Sequence, residues 1–216
     1  MGVEMKILCA CEESQAVCIE LRKLGHEAYS CDIEPCSGGH PEWHLQQDVL
    51  PLLKEKWDMI IAFPPCTYLS NAGAARLYPK KGQLNMERYN KGLKAKEFFL
   101  RFYNADCPKI AIENPISTRV FGLPLYSQII QPYEFGHPYS KKTCLWLQGL
   151  PKLKPTEIIT KNIISWVSGG SKDNKGNPRK NKGMTFRDAY TKSKTFPGIA
   201  RAMAEQWAAI VKEDNK

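Results

Sequence analysis

Cys66 follows two prolines at the end of a short apolar run that covers residues 59–63. Because each proline ring fixes the backbone angle φ, the pair would hold the following thiol in one place. A thiol acts as a nucleophile when it is accessible and its surroundings favour the thiolate. The alternative is a small buried apolar residue, which is how most free cysteines behave. We take Cys66 as the candidate nucleophile, and covalent catalysis as the chemistry that it would perform.

Acidic residues follow other apolar runs of the chain. Glu113 comes directly after the run 109–112. Asp32 follows the run 27–31, and Asp48 lies further along. In doubly wound α/β folds, an acid after the second strand binds the hydroxyls of a ribose. An ordinary turn or helix-cap acid is the alternative for Asp32, and an ion-paired structural carboxylate is the alternative for Glu113.

The turn after the first apolar run reads Cys11-Glu12-Glu13-Ser14 and lacks the Gly-x-Gly-x-x-Gly pattern. The pyrophosphate of a dinucleotide needs that pattern, because the backbone must approach it closely. A classical dinucleotide site is therefore not predicted. A cofactor that contains an adenosine but no phosphate would not need the glycines.

Positive charge is concentrated in residues 161–194. This segment holds nine lysines and arginines against two aspartates, which is +7 of the chain's +9. Clustered positive charge is the electrostatic footprint of nucleic-acid binding, and a solvated loop insertion is the alternative. We expect Lys180, Lys182 and Lys194 to contact phosphates. The aromatic residues that could stack on bases are Trp43, Trp166 and Tyr190, with packing inside a loop as the alternative for Trp43.

The elements that must position these residues alternate along the chain. Apolar runs that suit buried strands cover residues 6–10, 27–31, 59–63, 109–112 and 143–147. Apolar side chains at helical spacing lie between or after them, at Val17, Leu21, Leu24, Tyr89, Leu93, Leu100, Tyr103, Ile199, Met203, Trp207 and Ile210. This alternation predicts an α/β fold with a mostly parallel sheet and helices on both faces. Ligands of such sheets bind at the carboxyl ends of the strands. We expect a single domain over residues 1–216.

Composition excludes several classes of protein. The chain has 216 residues, of which 43% are hydrophobic, and no apolar run approaches the roughly 20 residues of a membrane helix. The amino-terminal residues do not resemble a signal peptide, so we expect a cytoplasmic protein. The eight cysteines are irregularly spaced, which favours reduced thiols. Cys31, Cys36, His40 and His44 have tolerable zinc spacing, but buried thiols and loop histidines are the favoured interpretation, so no metal is expected. The oligomeric state is left open.

Two motifs together resemble one enzyme family. Residues 63–73 read Phe-Pro-Pro-Cys-Thr-Tyr-Leu-Ser-Asn-Ala-Gly and resemble the catalytic loop of the cytosine-5 DNA methyltransferases. Residues 112–115, Ile-Glu-Asn-Pro, resemble the Glu-Asn-Val motif of that family and stand in the same order. Asp32-Ile33-Glu34 and Asp48-Val49 are similar to its two cofactor-side acids. Residues 136–142 resemble its Gln-x-Arg-x-Arg block, and residues 196–200 resemble its closing motif.

The resemblance implies a Rossmann-like, S-adenosylmethionine-dependent enzyme that methylates C5 of cytosine in DNA through a covalent Cys66 adduct. Glu113 would bind N3 of the base, a role that favours a raised carboxyl pKa. Asn114 would orient the Cys66 loop, and Lys141 would stand where the family has an arginine. The implied cofactor-binding residues are Cys11, Glu12, Ser14, Asp32, Ile33, Asp48, Val49 and Pro64. The implied substrate-binding residues are Pro65 and Ser70, in addition to the three lysines.

The chain also departs from the family pattern. The glycine-rich first turn is absent, Pro115 replaces the usual valine, and Thr143 stands where the second arginine is usual. The basic segment 161–194 replaces the target-recognition domain, so we expect phosphate binding with little reading of base edges. A base in duplex DNA would have to flip out of the stack. The same chemistry on RNA or a free pyrimidine nucleotide, and a non-catalytic nucleic-acid-binding relative, are the alternatives.

Overall fold

The computed structural model describes residues 4–80, 82–166 and 194–210. Its strands are β1 (Lys6–Ala10), β2 (Glu27–Asp32), β3 (His44–Gln46), β4 (Met59–Ala62), β5 (Ile110–Pro115), β6 (Gln128–Ile130), β7 (Tyr139–Ser140), β8 (Thr143–Gln148) and β9 (Ile164–Ser165). Its α-helices are α1 (Ala16–Lys23), α2 (Met86–Tyr103) and α3 (Pro197–Ile210). Short 3₁₀ turns cover residues 41–43, 52–54, 71–77, 119–121 and 132–134.

One seven-stranded sheet organises the described residues, in the order β3-β2-β1-β4-β5-β8-β6. The five strands from β3 to β5 run parallel, whereas β8 runs antiparallel to both β5 and β6. The carboxyl ends of β1, β2, β3, β4 and β5 therefore meet at one edge. The amino-terminal end of β8 joins them there, because Thr143 pairs with Pro115.

Two apolar cores lie on opposite faces of the sheet. Side chains alternate along β1, so that Ile7 and Cys9 face α1 and α3, while Leu8 and Ala10 face α2. Strands that are buried on both faces read as continuous apolar runs, and this is why the parallel strands could be found from sequence. The predicted Rossmann-like architecture, a mostly parallel sheet with helices on both faces, is confirmed. A small parallel pair of β7 and β9 lies outside the large sheet.

The helices follow the predicted faces only in part. Helix α1 buries Val17, Cys18 and Leu21, but Leu24 lies at its end and is 40% exposed. Helix α3 buries Ile199, Met203 and Trp207 as expected. In α2, Tyr89, Leu100 and Tyr103 pack against the core as predicted. Leu93 is 37% exposed, and Phe99 and Phe102, which lie outside the predicted set, are fully buried. The two phenylalanines remove more apolar surface from water than Leu93 would, so they determine which side faces the sheet.

Domain number and membrane-spanning helices are the remaining features of the overall organisation. The single domain over residues 1–216 stays a prediction, because most of the basic segment lies outside the described residues. Among the helices that the structure describes, none combines the length and apolar character needed to cross a membrane.

Candidate functional site

Cys66 lies just beyond the carboxyl end of β4. Phe63 N–H donates to the carbonyl of Ala10 and continues the pairing with β1, after which Pro64 is buried and Pro65 is exposed. The carbonyl of Cys66 accepts hydrogen bonds from the N–H groups of Leu69 (3.1 Å) and Ser70 (2.9 Å). The chain therefore turns sharply at the thiol, which is partly exposed.

Strand β5 brings Glu113 and Asn114 to the same edge. Asn114 is 1% exposed, and its Nδ2 donates a hydrogen bond of 2.8 Å to the carbonyl of Pro64. This contact ties the neighbouring strand to the loop that carries Cys66. Asn114 is expected from the sequence motif to orient that loop, and this hydrogen bond is compatible with the role.

Cys66, Glu113 and Lys141 share one electrostatic environment. Burial raises the pKa of Glu113, while the positive charge of Lys141 and a hydrogen bond with Thr143 lower it, with burial dominant. Burial also raises the pKa of Cys66, the charge of Glu113 raises it further, and Lys141 lowers it. Glu113 thus favours the protonated thiol of Cys66, whereas Lys141 favours its thiolate.

The segment after β5 fastens the Cys66 loop, a feature that sequence reasoning missed. Asn71 N–H donates to the carbonyl of Ile116 (2.7 Å), and Thr118 N–H donates to the carbonyl of Leu69 (2.8 Å). Ser70 forms an antiparallel bridge with Ser117. Ser70 is therefore in a backbone contact that connects the nucleophile's loop to the strand of Glu113. No periodicity marks this pairing in the sequence, since it joins two irregular segments.

Cys11, Asp32 and Asp48 lie together where β1 and β2 end and just beyond β3. Burial raises the pKa of Cys11, and the charge of Asp32 and then that of Asp48 add to this increase. Asp32 and Asp48 each use Oδ1 to accept a backbone N–H two residues further on, from Glu34 (3.1 Å) and Leu50 (3.0 Å). Ile33 is 72% exposed next to them.

Cys11 and Gln15 supply a conformation that glycine usually provides. Their φ angles are +58° and +57°, in the left-handed region. The turn therefore bends without the glycines of the family pattern. Gln15 is fully buried, and its side chain holds residue 40 by bonds to the carbonyl and the N–H of His40.

Two residues of the expected cofactor set serve the fold. The carboxylate of Glu12 accepts hydrogen bonds from Val17 N–H (2.7 Å) and Cys18 N–H (3.2 Å), so it caps the start of α1. Its acid group is turned into the protein because four orphan donors at a helix start need acceptors. Val49 is 4% exposed and packs in the core on the α2 face. The backbone of Gly38 passes close to Ser14, since a Cβ atom at Gly38 would lie 2.7 Å from the carbonyl oxygen of Ser14.

A narrow cleft lies beside Glu113. Its other lining residues are Lys141, Thr143, Thr195, Phe196 and Ile199. His137, which sequence reasoning did not single out, supports this wall, since its Nε2 accepts a hydrogen bond of 2.9 Å from Gly198 N–H. The start of α3 therefore faces Glu113 and Lys141, and its return to the cofactor site, which the likeness to the closing motif implies, stays a prediction.

The aromatic and basic candidates have mixed positions. Trp166 packs edge-on against Tyr139 and Phe196, with both centroid distances 4.7 Å. Trp43 is stacked on His40 at 3.9 Å. Lys194 Nζ donates to Ser37 Oγ at 3.2 Å. Lys180, Lys182 and Tyr190 lie outside the described residues.

The residues considered for zinc have other partners. The two ring nitrogens of His44 contact Ser30 Oγ and the carbonyl of Glu34, each at 2.9 Å. Cys31 Sγ donates to the carbonyl of Gln47. Within residues 4–80, 82–166 and 194–210, no group of three or more His, Cys, Asp or Glu side chains is placed to hold a metal ion.

Comparison with known proteins gives distant structural likenesses only. No family model and no curated protein matches the sequence. An Escherichia coli prophage protein described as a DNA modification methyltransferase is 12% identical, with 74% of this chain and 52% of that chain covered and a TM-score of 0.43. The S. pombe Dnmt2 methyltransferase is 13% identical (69% and 50% covered, TM-score 0.37). An Escherichia coli rRNA methylase is 14% identical (66% and 56% covered, TM-score 0.35). The chain spans about half the length of these three structures, and likenesses this distant do not assign an activity.

Proposed function

We propose that this protein is an S-adenosylmethionine-dependent methyltransferase that adds a methyl group to C5 of cytosine in DNA through a covalent adduct on Cys66. The observation that carries the proposal is that Cys66 lies close to the buried Glu113 of the neighbouring strand, whose carboxyl pKa is raised by burial. Lys141 completes the group by favouring the thiolate. A nucleophile next to a carboxyl with a raised pKa is the pairing that this chemistry needs.

The residues divide the work as follows. The thiolate of Cys66 adds to C6 of the cytosine ring, and the ring electrons that this releases make C5 nucleophilic. Glu113 donates a hydrogen bond or its proton at N3, where negative charge would otherwise build up. When bound, S-adenosylmethionine supplies the methyl group that C5 takes up, with S-adenosylhomocysteine as the leaving group. The C5 proton then leaves to a solvent base, the C5–C6 double bond reforms as the Cys66 thiolate departs from C6, and Glu113 takes back any proton that it gave to N3.

The cofactor side has a suitable set of groups. Carboxylates accept hydrogen bonds from ribose hydroxyls and from an adenine amino group, the roles proposed for Asp32 and Asp48. The exposed apolar side chain of Ile33 adjoins them and offers a surface for the adenine ring. The left-handed conformation of Cys11 bends the turn that follows β1. Pro64 lies in the loop that follows β4.

The cofactor assignment has a direct test. Changing Asp32 to Ala is expected to weaken S-adenosylmethionine binding by about 1–3 kcal/mol, the usual effect of leaving polar groups of a complex without partners. Isothermal titration calorimetry measures it, and Asp106→Ala, at an exposed position before β5, is the matched control. An unchanged affinity for the Asp32 variant would place the cofactor elsewhere.

The activity is tested by incubating the protein and cofactor in parallel with DNA, RNA and dCMP, and identifying methylated nucleosides by mass spectrometry. We expect 5-methylcytosine in the DNA sample. Product in RNA or dCMP alone would transfer the proposal to that substrate. Cofactor and nucleic-acid binding without any product would favour the non-catalytic relative.

The covalent step needs a separate experiment. DNA with 5-fluorocytosine is expected to stay attached to Cys66 after methyl transfer, because fluorine cannot leave C5 as a proton does. Cys66→Ser should form no adduct and no product, since a hydroxyl is far less ionised than a thiol at neutral pH. Cys107→Ser, at a partly exposed thiol before β5, should behave like the wild type. A large residual activity of Cys66→Ser would overturn the nucleophile assignment.

A further inference from the structure

Arg88, in the first turn of α2, reaches the loop that carries Cys66. Its Nη2 donates a hydrogen bond of 2.9 Å to the carbonyl of Thr67, the residue that follows the nucleophile. Its guanidinium also lies over the ring of Tyr68, with Cζ 5.1 Å from the ring centroid. One side chain of the helix thus contacts two successive residues of the loop.

The loop leaves space for this guanidinium at Gly73. A Cβ atom at that position would lie 2.8 Å from Arg88 Nη2 and 3.1 Å from the carbonyl oxygen of Thr67. At the other end, Asn85 caps α2 by accepting the backbone N–H of Arg88 at 3.0 Å. The side chain therefore starts from a fixed point of the helix and ends between two parts of the loop.

Helix stability alone is a poor account of Arg88. Its Nε is buried and makes no hydrogen bond within the described part of the chain. A buried donor without a partner costs free energy. The contacts with Thr67 and Tyr68 give a better account, because they hold the peptide that leads directly away from the thiol.

We propose that Arg88 is a positioning residue for the nucleophile. By holding Thr67 and Tyr68, it sets where the Cys66 thiol stands relative to Glu113. For methyl transfer this inference rests on the proposed function, whereas the position of the thiol can be measured without it. A displacement of about 1 Å at a reacting atom costs about 100-fold in rate.

Two variants remove the interaction by different routes. Arg88→Met keeps most of the apolar stem and removes the guanidinium. Gly73→Ala displaces the end of the flexible Arg88 side chain and places its methyl group 3.1 Å from the Thr67 carbonyl oxygen, a contact that a small shift relieves, so the fold should persist. In both we expect iodoacetamide to alkylate Cys66 several-fold faster, because the loop is released. Methyl transfer should show a kcat about 10–100-fold lower, with KM for S-adenosylmethionine unchanged.

The combination of variants sharpens the test. If both changes act through one interaction, Gly73→Ala together with Arg88→Met should be no worse than Arg88→Met alone. Arg88→Lys should restore part of kcat, because an ammonium can donate to Thr67 but cannot reproduce the planar stack on Tyr68. Lys91→Met is the control, since Lys91 lies on the same helix and pairs with Glu87.

Several outcomes would overturn the inference. Wild-type alkylation rates in both Arg88→Met and Gly73→Ala would show that Arg88 does not hold the thiol. An equal loss of cofactor affinity and kcat would indicate general damage to the fold. If Arg88→Met does not fold, Gly73→Ala and Arg88→Lys decide. If the wild type methylates no substrate, the proposed function fails, and the alkylation rates still decide the role of Arg88.

Discussion

The carboxyl of Glu113 influences the titration of the Cys66 thiol. An ionised Glu113 raises the pKa of Cys66, and Lys141 lowers it. Glu113→Gln should therefore lower the pKa of the Cys66 thiol, and Lys141→Met should raise it. The measurement is the alkylation rate of Cys66 against pH, followed by peptide mass spectrometry. Glu55→Gln, an exposed position paired with Lys6, serves as the control. A midpoint that rises in Glu113→Gln would contradict the arrangement.

Cys11 allows a second test at the residue scale, because its φ of +58° strains any residue except glycine. Relief of that strain is worth about 1–2 kcal/mol, and the extra freedom of glycine in the unfolded chain offsets about 0.5–1 kcal/mol. Cys11→Gly should consequently be at least as stable to urea as Cys11→Ala, which keeps the strain. If the glycine variant were clearly the less stable of the two, residue 11 would not have the left-handed conformation described above.

The chemical groups of the candidate site could be predicted from sequence, while their supports could not. Cys66 and Glu113 stand in short motifs with recognisable residue types. Arg88 and His137 each form a hydrogen bond with a backbone group, and such bonds leave no periodic pattern in the sequence. The carboxylate of Glu12 caps the start of α1, a role that its position after β1 does not reveal, and its place in the cofactor site stays a prediction.

Among the secondary-structure elements, α1 makes the free energy of unfolding depend on pH, because Glu12 caps its start. Burial raises the pKa of Glu12 from 4.5 to about 7, against the opposing effect of its two amide hydrogen bonds. Between those values the folded protein holds a proton that the unfolded chain has released. The contribution of Glu12 to stability is therefore full below pH 4.5 and falls as the pH rises to about 7, by about 3 kcal/mol in all.

Urea unfolding at several pH values measures this effect by comparing the wild type with Glu12→Gln. The variant lacks the titrating group, so the stability difference between the two proteins should change steadily across this window, to the disadvantage of the wild type. Glu4→Gln, at an exposed position before β1, should run parallel to the wild type. A constant difference between wild type and Glu12→Gln would mean that Glu12 titrates normally.

Sequence predicted the strands better than the helix faces. All five predicted strands are present, because burial on both faces gives each one a continuous apolar run. Strands β3 and β6 have three residues each and escaped notice; β3 reads His-Leu-Gln and is bordered by exposed chain. In α2, Leu93 fits the helical period as well as Phe99 and Phe102 do. Which of these side chains is buried depends on how the helix packs against the sheet, and the sequence does not show this.

For the whole molecule, the distribution of charge predicts how DNA binding depends on salt. If Lys180, Lys182 and Lys194 bind phosphates, changing all three to Ala should flatten the salt slope of binding by about 0.9 for each phosphate that is no longer neutralised. The decrease in affinity should be similar for unrelated DNA sequences. Binding titrations at several salt concentrations measure both.

A charge-matched triple variant separates this effect from net charge. Lys23, Lys54 and Lys56 are exposed and precede the amino-terminal ends of β2 and β4, at the edge of the sheet opposite to Cys66 and Glu113. Changing these three to Ala removes the same charge and should leave the slope nearly unchanged, because exposed charges beyond a Debye length are screened. Equal slopes in both triple variants would make the basic segment a solvated insertion and favour a mononucleotide substrate.

The bond from Asn114 to Pro64 joins residues that are 50 positions apart, and it forms between strands that pair over the same separation. Pairings this distant require large loops to close before any stabilisation is gained, so proteins that depend on them fold slowly for their size. Cys66 and Glu113 lie at the two ends of such a loop, because Cys66 follows β4 and Glu113 is in β5. We therefore expect Cys66 and Glu113 to become neighbours late in refolding, when β4 and β5 pair. Until then, the Cys66 thiol should react like that of an unfolded chain.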